Sequence, residues 1–353
     1  MRTDLRMPDH KQYTNTSEMI LKFKYMALAA LSAMTVSLSS CDAVFDDLEP
    51  CRTGAEMRFI FDRNLENSNS FHSNVDCLLV YIYDADGRYV TSLTETSDRL
   101  ADENWRLSVE LPEGDYKAVA YGGMTCGESS FSPVAIPERD SGFDALQVRL
   151  KPEHAGKRLH DHYHGVADFT VDNHGDNEFG KVPVSMTRTT NHFRILMQNL
   201  SGAPLSGEDF DFYITEDNSL LDNGNVPVAT GTPTVYTPWI KGVVEERPGT
   251  VRGPEGNPSI RMGYAELSTS RVYIPNKPVI RIDDHKTGRN IATLPLAYYL
   301  AASQSDASSW SDQEYIDRGR DWVMTFFLQE DGSWFQGYIM VNGWSVRINE
   351  IDM

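Results

Sequence analysis

The sequence predicts a mainly β chain folded as antiparallel sandwiches, and three observations carry that reading. Apolar residues alternate with polar ones in short segments, turn-forming residues separate the segments, and helical periodicity is scarce along the 353 residues. That pattern belongs to hairpins and meanders rather than to alternating strand and helix units, whose parallel strands are buried on both faces.

The first predicted strand is Met57–Phe61. Cys77–Tyr83 and Arg88–Leu93 flank Asp84-Ala85-Asp86-Gly87, where Asp-Gly offers the positive φ of a tight hairpin. Those four residues also resemble the start of a calcium loop, but Arg88 and Tyr89 stand where an oxygen ligand and a glycine are needed. Trp105, Leu107, Val109 and Leu111 alternate with polar residues, so one face of that strand is buried. The turn at Leu111-Pro112-Glu113-Gly114-Asp115 opens a strand over Tyr116–Tyr121, and Leu146, Val148 and Leu150 alternate again. These segments make one sandwich. The polar, His-, Asp- and Gly-rich span 151–180 then supplies a boundary, giving domains at 55–178 and 179–353.

In the second half, strands are predicted at Val182–Met186, His192–Leu200, Phe210–Thr215, Val272–Ile274 and Pro278–Ile282. A closing meander runs through Trp322–Leu328, Trp334–Val341 and Trp344–Ile348, joined by the hairpin pairs Asp331-Gly332 and Asn342-Gly343. Ser311-Asp312-Gln313-Glu314 reads as a capping box opening a short helix through Tyr315 and Ile316. Residues 222–262 hold Pro227, Pro233, Pro238, Pro248, Pro254 and Pro258, too irregular for core strands, and are expected to form a long loop or a set of edge excursions.

Lys22 and Lys24 precede an apolar run of 14 residues, Tyr25–Leu38, shorter than the ~20 a spanning helix needs, so residues 1–40 read as a signal peptide. The polar stretch 1–18 is foreign to such a peptide, which places the start of translation at Met19. Leu38-Ser39-Ser40-Cys41 resembles the bacterial lipobox, whose cysteine receives a diacylglycerol thioether, and Cys41 is the predicted lipidation site. The alternative is an ordinary signal peptide with Cys41 in a disulfide. Each buried acyl methylene adds ~0.8 kcal/mol, so more than one chain makes attachment stable. Asp42, Asp46, Asp47 and Glu49 make residues 41–54 an acidic tether, similar to acidic export signals of Bacteroidetes-type surface lipoproteins and equally readable as a solvated linker.

The whole chain carries 32 Lys and Arg against 51 Asp and Glu; the 5 basic and 3 acidic residues before Cys41 leave 27 against 48, a net charge of −21 for 313 residues. Such a surface excludes nucleic acid as a partner, since phosphate binding needs clustered positive charge. Beyond Cys41 the disulfide candidates are Cys51, Cys77 and Cys126, an odd number, so one bridge and one buried thiol are expected with the pairing open.

His154, His160, His162 and His164, with Asp161 and Asp168, form the one cluster of metal-ligand character. His160, His162 and His164 share a strand face, yet neighbours on a face stand ~7 Å apart, too far for all three to reach one ion at ~2 Å. A polar strand leading into Tyr163, Val166 and Phe169 is the plainer account. No nucleophile elbow, phosphate-cradling glycine loop or HExxH motif occurs, a glycosidase dyad has no support, and no cofactor is implied. Trp322, Trp334, Phe335, Tyr338 and Trp344 either pack into the core or form a sugar-stacking platform.

Several stretches resemble the FimB/Mfa2 family of fimbrial anchor lipoproteins of Bacteroidales-type bacteria. They are Cys41-Asp42 with Asp46–Cys51, Met57–Asp62, Val75–Asp84 with Asp86-Gly87, Leu111–Tyr116, Ala120–Gly123, and Ile339–Val346 with Asn342-Gly343-Trp344. The resemblance implies two tandem transthyretin-like antiparallel β-sandwich domains, and no enzymatic activity. It further implies a place at the base of a fimbrium, with lipid holding the protein in the outer membrane at the cell surface. A stalk or accessory subunit would dock at an exposed sheet edge by strand complementation. The competing expectation is a surface glycan- or peptide-binding lipoprotein, its site built from the late aromatics and residues 222–262.

Overall fold

A computed structural model describes residues 52–172, 179–246, 260–305 and 308–347. The signal peptide, Met19, Cys41 and the acidic tether as far as Cys51 lie outside the described residues, and the tether's expected last residue, Gly54, already belongs to the first strand. The protein is mainly β.

The first strand, β1 (Gly54–Ile60), is the middle of a three-stranded sheet between β4 (Leu107–Glu110) and β9 (Gly180–Ser185). Opposite it lies a five-stranded sheet, in which β2 (Leu78–Asp84) sits between β3 (Tyr89–Glu95) and β5 (Gly114–Gly122). The same sheet continues through β8 (Tyr163–Val171) to β10 (Thr187–Arg188). Met57, Phe59, Val109 and Val184 from the first sheet pack with Leu78, Val80, Ile82, Ala118 and Ala120 from the second, closing one apolar core.

The other face of β2 and β5 is also buried. Leu79, Tyr81, Tyr83, Val119 and Tyr121 enter a second core, which accounts for the unbroken apolar run Leu78–Tyr83 in place of simple alternation. A small sheet of β6 (Phe131–Pro133), β7 (Val148–Leu150) and β13 (Leu220–Leu221) contributes Phe131, Val148, Leu150 and Leu221 to that core. The C-terminal sheets complete it. Six strands run in the order β15 (Ile240–Glu246), β16 (Ile260–Thr269), β11 (Asn191–Asn199), β19 (Asp321–Leu328), β20 (Tyr338–Val341) and β21 (Trp344–Arg347). Four more run β14 (Thr234–Tyr236), β12 (Phe210–Glu216), β17 (Val279–Asp284) and β18 (Asn290–Pro295). Phe193, Ile195 and Met197 from β11 alternate inward to meet Phe212, Ile214, Ile280 and Ile282.

Three α-helices are described: α1 (Phe71–Asn74), α2 (Leu296–Ala301) and α3 (Asp312–Arg318). α3 starts at the predicted Ser311, whose side chain accepts the Glu314 amide.

Several expectations are corrected. Pairing is antiparallel except for β1 with β9 and β11 with β19, which run parallel. Val272–Ile274 is not a strand: Pro275 lacks the amide a ladder needs, and a single 3₁₀ turn over Ile274–Asn276 ends at Lys277 with φ 50°. Trp334 makes only an isolated bridge to Leu328, so the middle strand of the meander begins at Tyr338. Its hairpin is as expected, with Asn342 (φ 49°) and Gly343 (φ 84°) both left-handed. Within 222–262, the described residues include β14 and β15, each an edge strand, so Pro227, Pro233 and Pro238 accompany edge excursions, the second of the two expected forms, while Pro248, Pro254 and Pro258 lie outside the described residues. Past the division expected at 178, β9 and β10 still pair with β1 and β8, and the C-terminal sheets are entered at β11.

Candidate functional site

The three candidate histidines diverge. Strand β8 and the residues before it run beside β5, with Tyr121 opposite His164. His162 is fully buried, stacked on Phe131 at 4.5 Å and on Tyr121 at 5.7 Å between ring centroids, and neither ring nitrogen has a partner. Burial, reinforced by the charges of His164 and His160, pushes its pKa down to about 3. His164 is buried beside Tyr121, its Nε2 3.0 Å from the Asn223 carbonyl oxygen, and burial holds its pKa at about 4. His160 turns instead to Asp76, with Nε2 3.2 Å from the carboxylate. The three do not converge on one point: among the described residues the one group with metal-ligand spacing is Asp76, Cys77 and Cys126, and its two sulfurs are joined to each other.

That bond settles part of the cysteine question, because Cys77, immediately before β2, pairs with Cys126, after β5. The end of the β2–β5 pairing at which Leu78 faces Gly122 is thereby stapled, by residues 49 apart in sequence.

The residue that gathers this region is Asp161, which the sequence reading placed only at the margin of the histidine cluster. Its Oδ1 accepts from Arg188 Nη2 at 2.6 Å and Thr190 Oγ1 at 3.2 Å, and lies 3.0 Å from His192 Nε2. Burial alone would raise its pKa; the His192 hydrogen bond and the Arg188 charge outweigh that and hold it at about 2. His192 Nδ1 in turn lies 2.8 Å from Ser268 Oγ, tying the 160s to β11 and β16. Nearby, Arg271 forms two bonds to Asp317 at 2.9 and 2.7 Å and donates to the Asn225 carbonyl at 2.7 Å. A groove of about 630 Å³ lies over these groups, lined also by Arg63, Thr187 and Arg318. The polar run Arg188-Thr189-Thr190-Asn191-His192, opening an apolar alternating strand, is the sequence signal that marks this seam.

Of the late aromatics, Trp322 and Trp334 are buried in the second core, and Trp344 on edge strand β21 is 61% exposed. They do not form one platform. Strands β3, β15 and β21 are among those that end their sheets. At the opposite pole of the sequence, the chain from the tether enters β1 at once. Thr53 Oγ1 donates to the Leu111 carbonyl at 2.7 Å, Arg52 pairs with Glu110, and β1 is hydrogen-bonded on both sides.

The described residues form a mainly β fold in which a seam of polar side chains ties the strands together, the build of a structural protein. Residues 48–350 match the model of the fimbrillin-A associated anchor proteins Mfa1 and Mfa2, and the chain belongs to that family. A candidate adhesin from Bacteroides thetaiotaomicron is 35% identical, with a TM-score of 0.79 over 86% of this chain and 100% of its own. A candidate polysaccharide-binding protein from the same organism is 26% identical, with a TM-score of 0.70 over 85% and 99%. The fimbrial anchor protein Mfa2 from Porphyromonas gingivalis is 14% identical, with a TM-score of 0.63 over 85% and 100%, and shares the fold. No curated protein matches the chain in sequence. The family is a structural one of fimbrial assembly, which makes the protein fimbrium-associated.

Proposed function

We propose that the protein is an outer-membrane lipoprotein that anchors a fimbrium at the cell surface, or serves as a minor subunit at its base, and has no catalytic role. Lipid on Cys41 holds it in the membrane, and a stalk or accessory subunit docks by adding a strand to an exposed sheet edge, where unpaired backbone groups are already aligned. The observation that carries this reading is the family match from residue 48, which begins seven residues after a lipobox-like cysteine. The fold is consistent with load at that end. A tether entering a strand bonded on both sides distributes a pull over the two ladders of β1 instead of peeling an edge strand.

A Cys41→Ala variant tests it: fimbriae are expected in the medium instead of on cells, and intact-mass analysis of the native protein should find the acyl mass on Cys41. Unchanged attachment of fimbriae overturns the proposal. A second reading, a surface glycan binder, draws on the similarity to the candidate polysaccharide-binding protein, although the late aromatics do not supply its site.

A further inference from the structure

The outer face of the six-stranded sheet carries two adjacent rows of side chains with different surroundings. In the row Glu266–Arg194–Val323, Arg194 and Val323 are exposed. In the next row, Ser268–His192–Asp321, Ser268 is buried, and His192 is held between Ser268 and Asp161. Where the two rows meet there is a cavity of about 260 Å³, with Arg158 and Trp239 completing its wall. Its volume falls just below the ~300 Å³ at which pockets for drug-sized ligands begin, so it accepts about one ring of a longer molecule.

The wall groups are only partly engaged. Trp239 is partly buried and lines the cavity, and its indole Nε1 has no acceptor among the described residues. The Arg158 guanidinium stands 5.8 Å from the Trp239 ring centroid and makes no ion pair among the described residues. Arg194 stacks on Tyr264 at 5.0 Å, and its Nε lies 3.6 Å from Glu266, beyond hydrogen-bonding distance. An aromatic body with a polar tip, planar guanidiniums and carboxylates on a rigid sheet is a set that recognises a sugar: C–H faces pack on indole, and hydroxyls bond the planar groups.

We propose that this cavity binds one ring of an oligosaccharide bearing a carboxylate, which Arg158 pairs with, while the following residues of the glycan lie along the exposed row at Arg194 and Val323. Glu266 and Asp321 at the same rim, in a chain of net charge −19, disfavour a polyanion with a charge on every unit. A glycan with one carboxylate per two sugars fits better. This inference does not rest on the anchoring role, and its failure leaves that role standing.

The test uses the full mature chain, a hyaluronan hexasaccharide as the acidic probe and chitohexaose as its neutral counterpart, with binding followed by calorimetry and tryptophan fluorescence. The acidic probe should bind at least tenfold more tightly than the neutral one. Trp239→Ala should weaken it more than tenfold, and Arg158→Gln should erase the preference for the acidic probe while leaving the circular dichroism spectrum unchanged. Absence of hyaluronan binding at millimolar concentration, equal affinity for chitohexaose, or undiminished binding by Trp239→Ala overturns the proposal.

Discussion

The two cores of this molecule are both apolar, but they differ in what borders them. The first, between the three- and five-stranded sheets, is lined by aliphatic and aromatic side chains such as Met57, Phe59, Val80 and Ile82, and a covalent staple closes its β2–β5 edge. The second borders a seam of buried polar groups: His162, His164, Arg188, Thr190, Asn191, Glu216 and Ser268 through Ser270. Both faces of β2 take part, one in each core. The difference teaches that hydrophobic burial closes each core, whereas the way the N-terminal and C-terminal sheets meet is specified by polar contacts that work only in defined protonation states.

Acid should therefore separate the two regions, and this is the largest effect expected. His162 and His164 are neutral in the fold, with pKa about 3 and about 4, and titrate near 6.5 when unfolded. Their folded pKa values are depressed, so the unfolded chain binds more protons below pH 6.5, and stability, intact above that pH, falls as pH drops. By pH 4 each imidazole costs on the order of 3 kcal/mol. Urea denaturation at pH 7 and pH 4 in a Glu216→Gln background, which removes an opposing carboxyl, should show this loss, and His162→Phe, which replaces an unpartnered ring already sandwiched between Tyr121 and Phe131, should recover about half of it. Asp161, held at about 2, keeps its ties to Arg188 and His192 at pH 4 and loses them only lower.

Reduction should strike the other region. The Cys77–Cys126 bond closes a loop of 49 residues, which in the chain-entropy account stabilises the fold by about 4 kcal/mol. Replacing both cysteines by alanine should lower stability by that order, equally at pH 7 and pH 4, because no ionisable group is exchanged. A loss that grows sharply with acid would show that the seam, not the first core, depends on the bridge.

The apolar region was far more legible in the sequence than the seam. Period-two alternation at Leu107 and Val109, the Asp-Gly and Asn-Gly hairpins, and the run at Leu78–Tyr83 all report local rules, and each produced a strand close to its expected place. The short strands at Phe131, Leu220 and Thr234 left no such trace, since two or three residues carry no period and form only because a distant strand accepts them. Asp161 looked like one more polar residue beside histidines. Its partners at 188, 190 and 192 are brought close by the return of β9 and β10 to the first sheets, a long-range pairing that alternation cannot announce. Trp239 was hidden in a proline-rich stretch that reads as loop, though an aromatic beside Pro238 at a sheet edge is the signal that could have found it.

The last effect concerns a group whose burial works against the fold at neutral pH. Glu216, at the end of β12, is 2% exposed, and its Oε1 accepts the Tyr273 amide at 2.8 Å. Burial raises its pKa to about 8, despite the Tyr273 hydrogen bond and the nearby Arg271 charge, which act the other way. In the unfolded chain a glutamate titrates near 4.3. Between these values the folded protein holds a proton that the unfolded chain has released, so stability is greatest below about pH 4.3 and declines as pH rises through 8. This slope opposes that of the histidines between about pH 4.3 and 6.5, and above that range it acts without them. Glu216→Gln keeps the acceptor for Tyr273 without the ionisation, and should raise stability at pH 8 by on the order of 5 kcal/mol while leaving it nearly unchanged at pH 4. Denaturation at the two pH values distinguishes this from a packing effect: a gain equal at both would mean that the amide simply fits better, and a loss at pH 8 would mean that the carboxylate is held as an ion partner of Arg271.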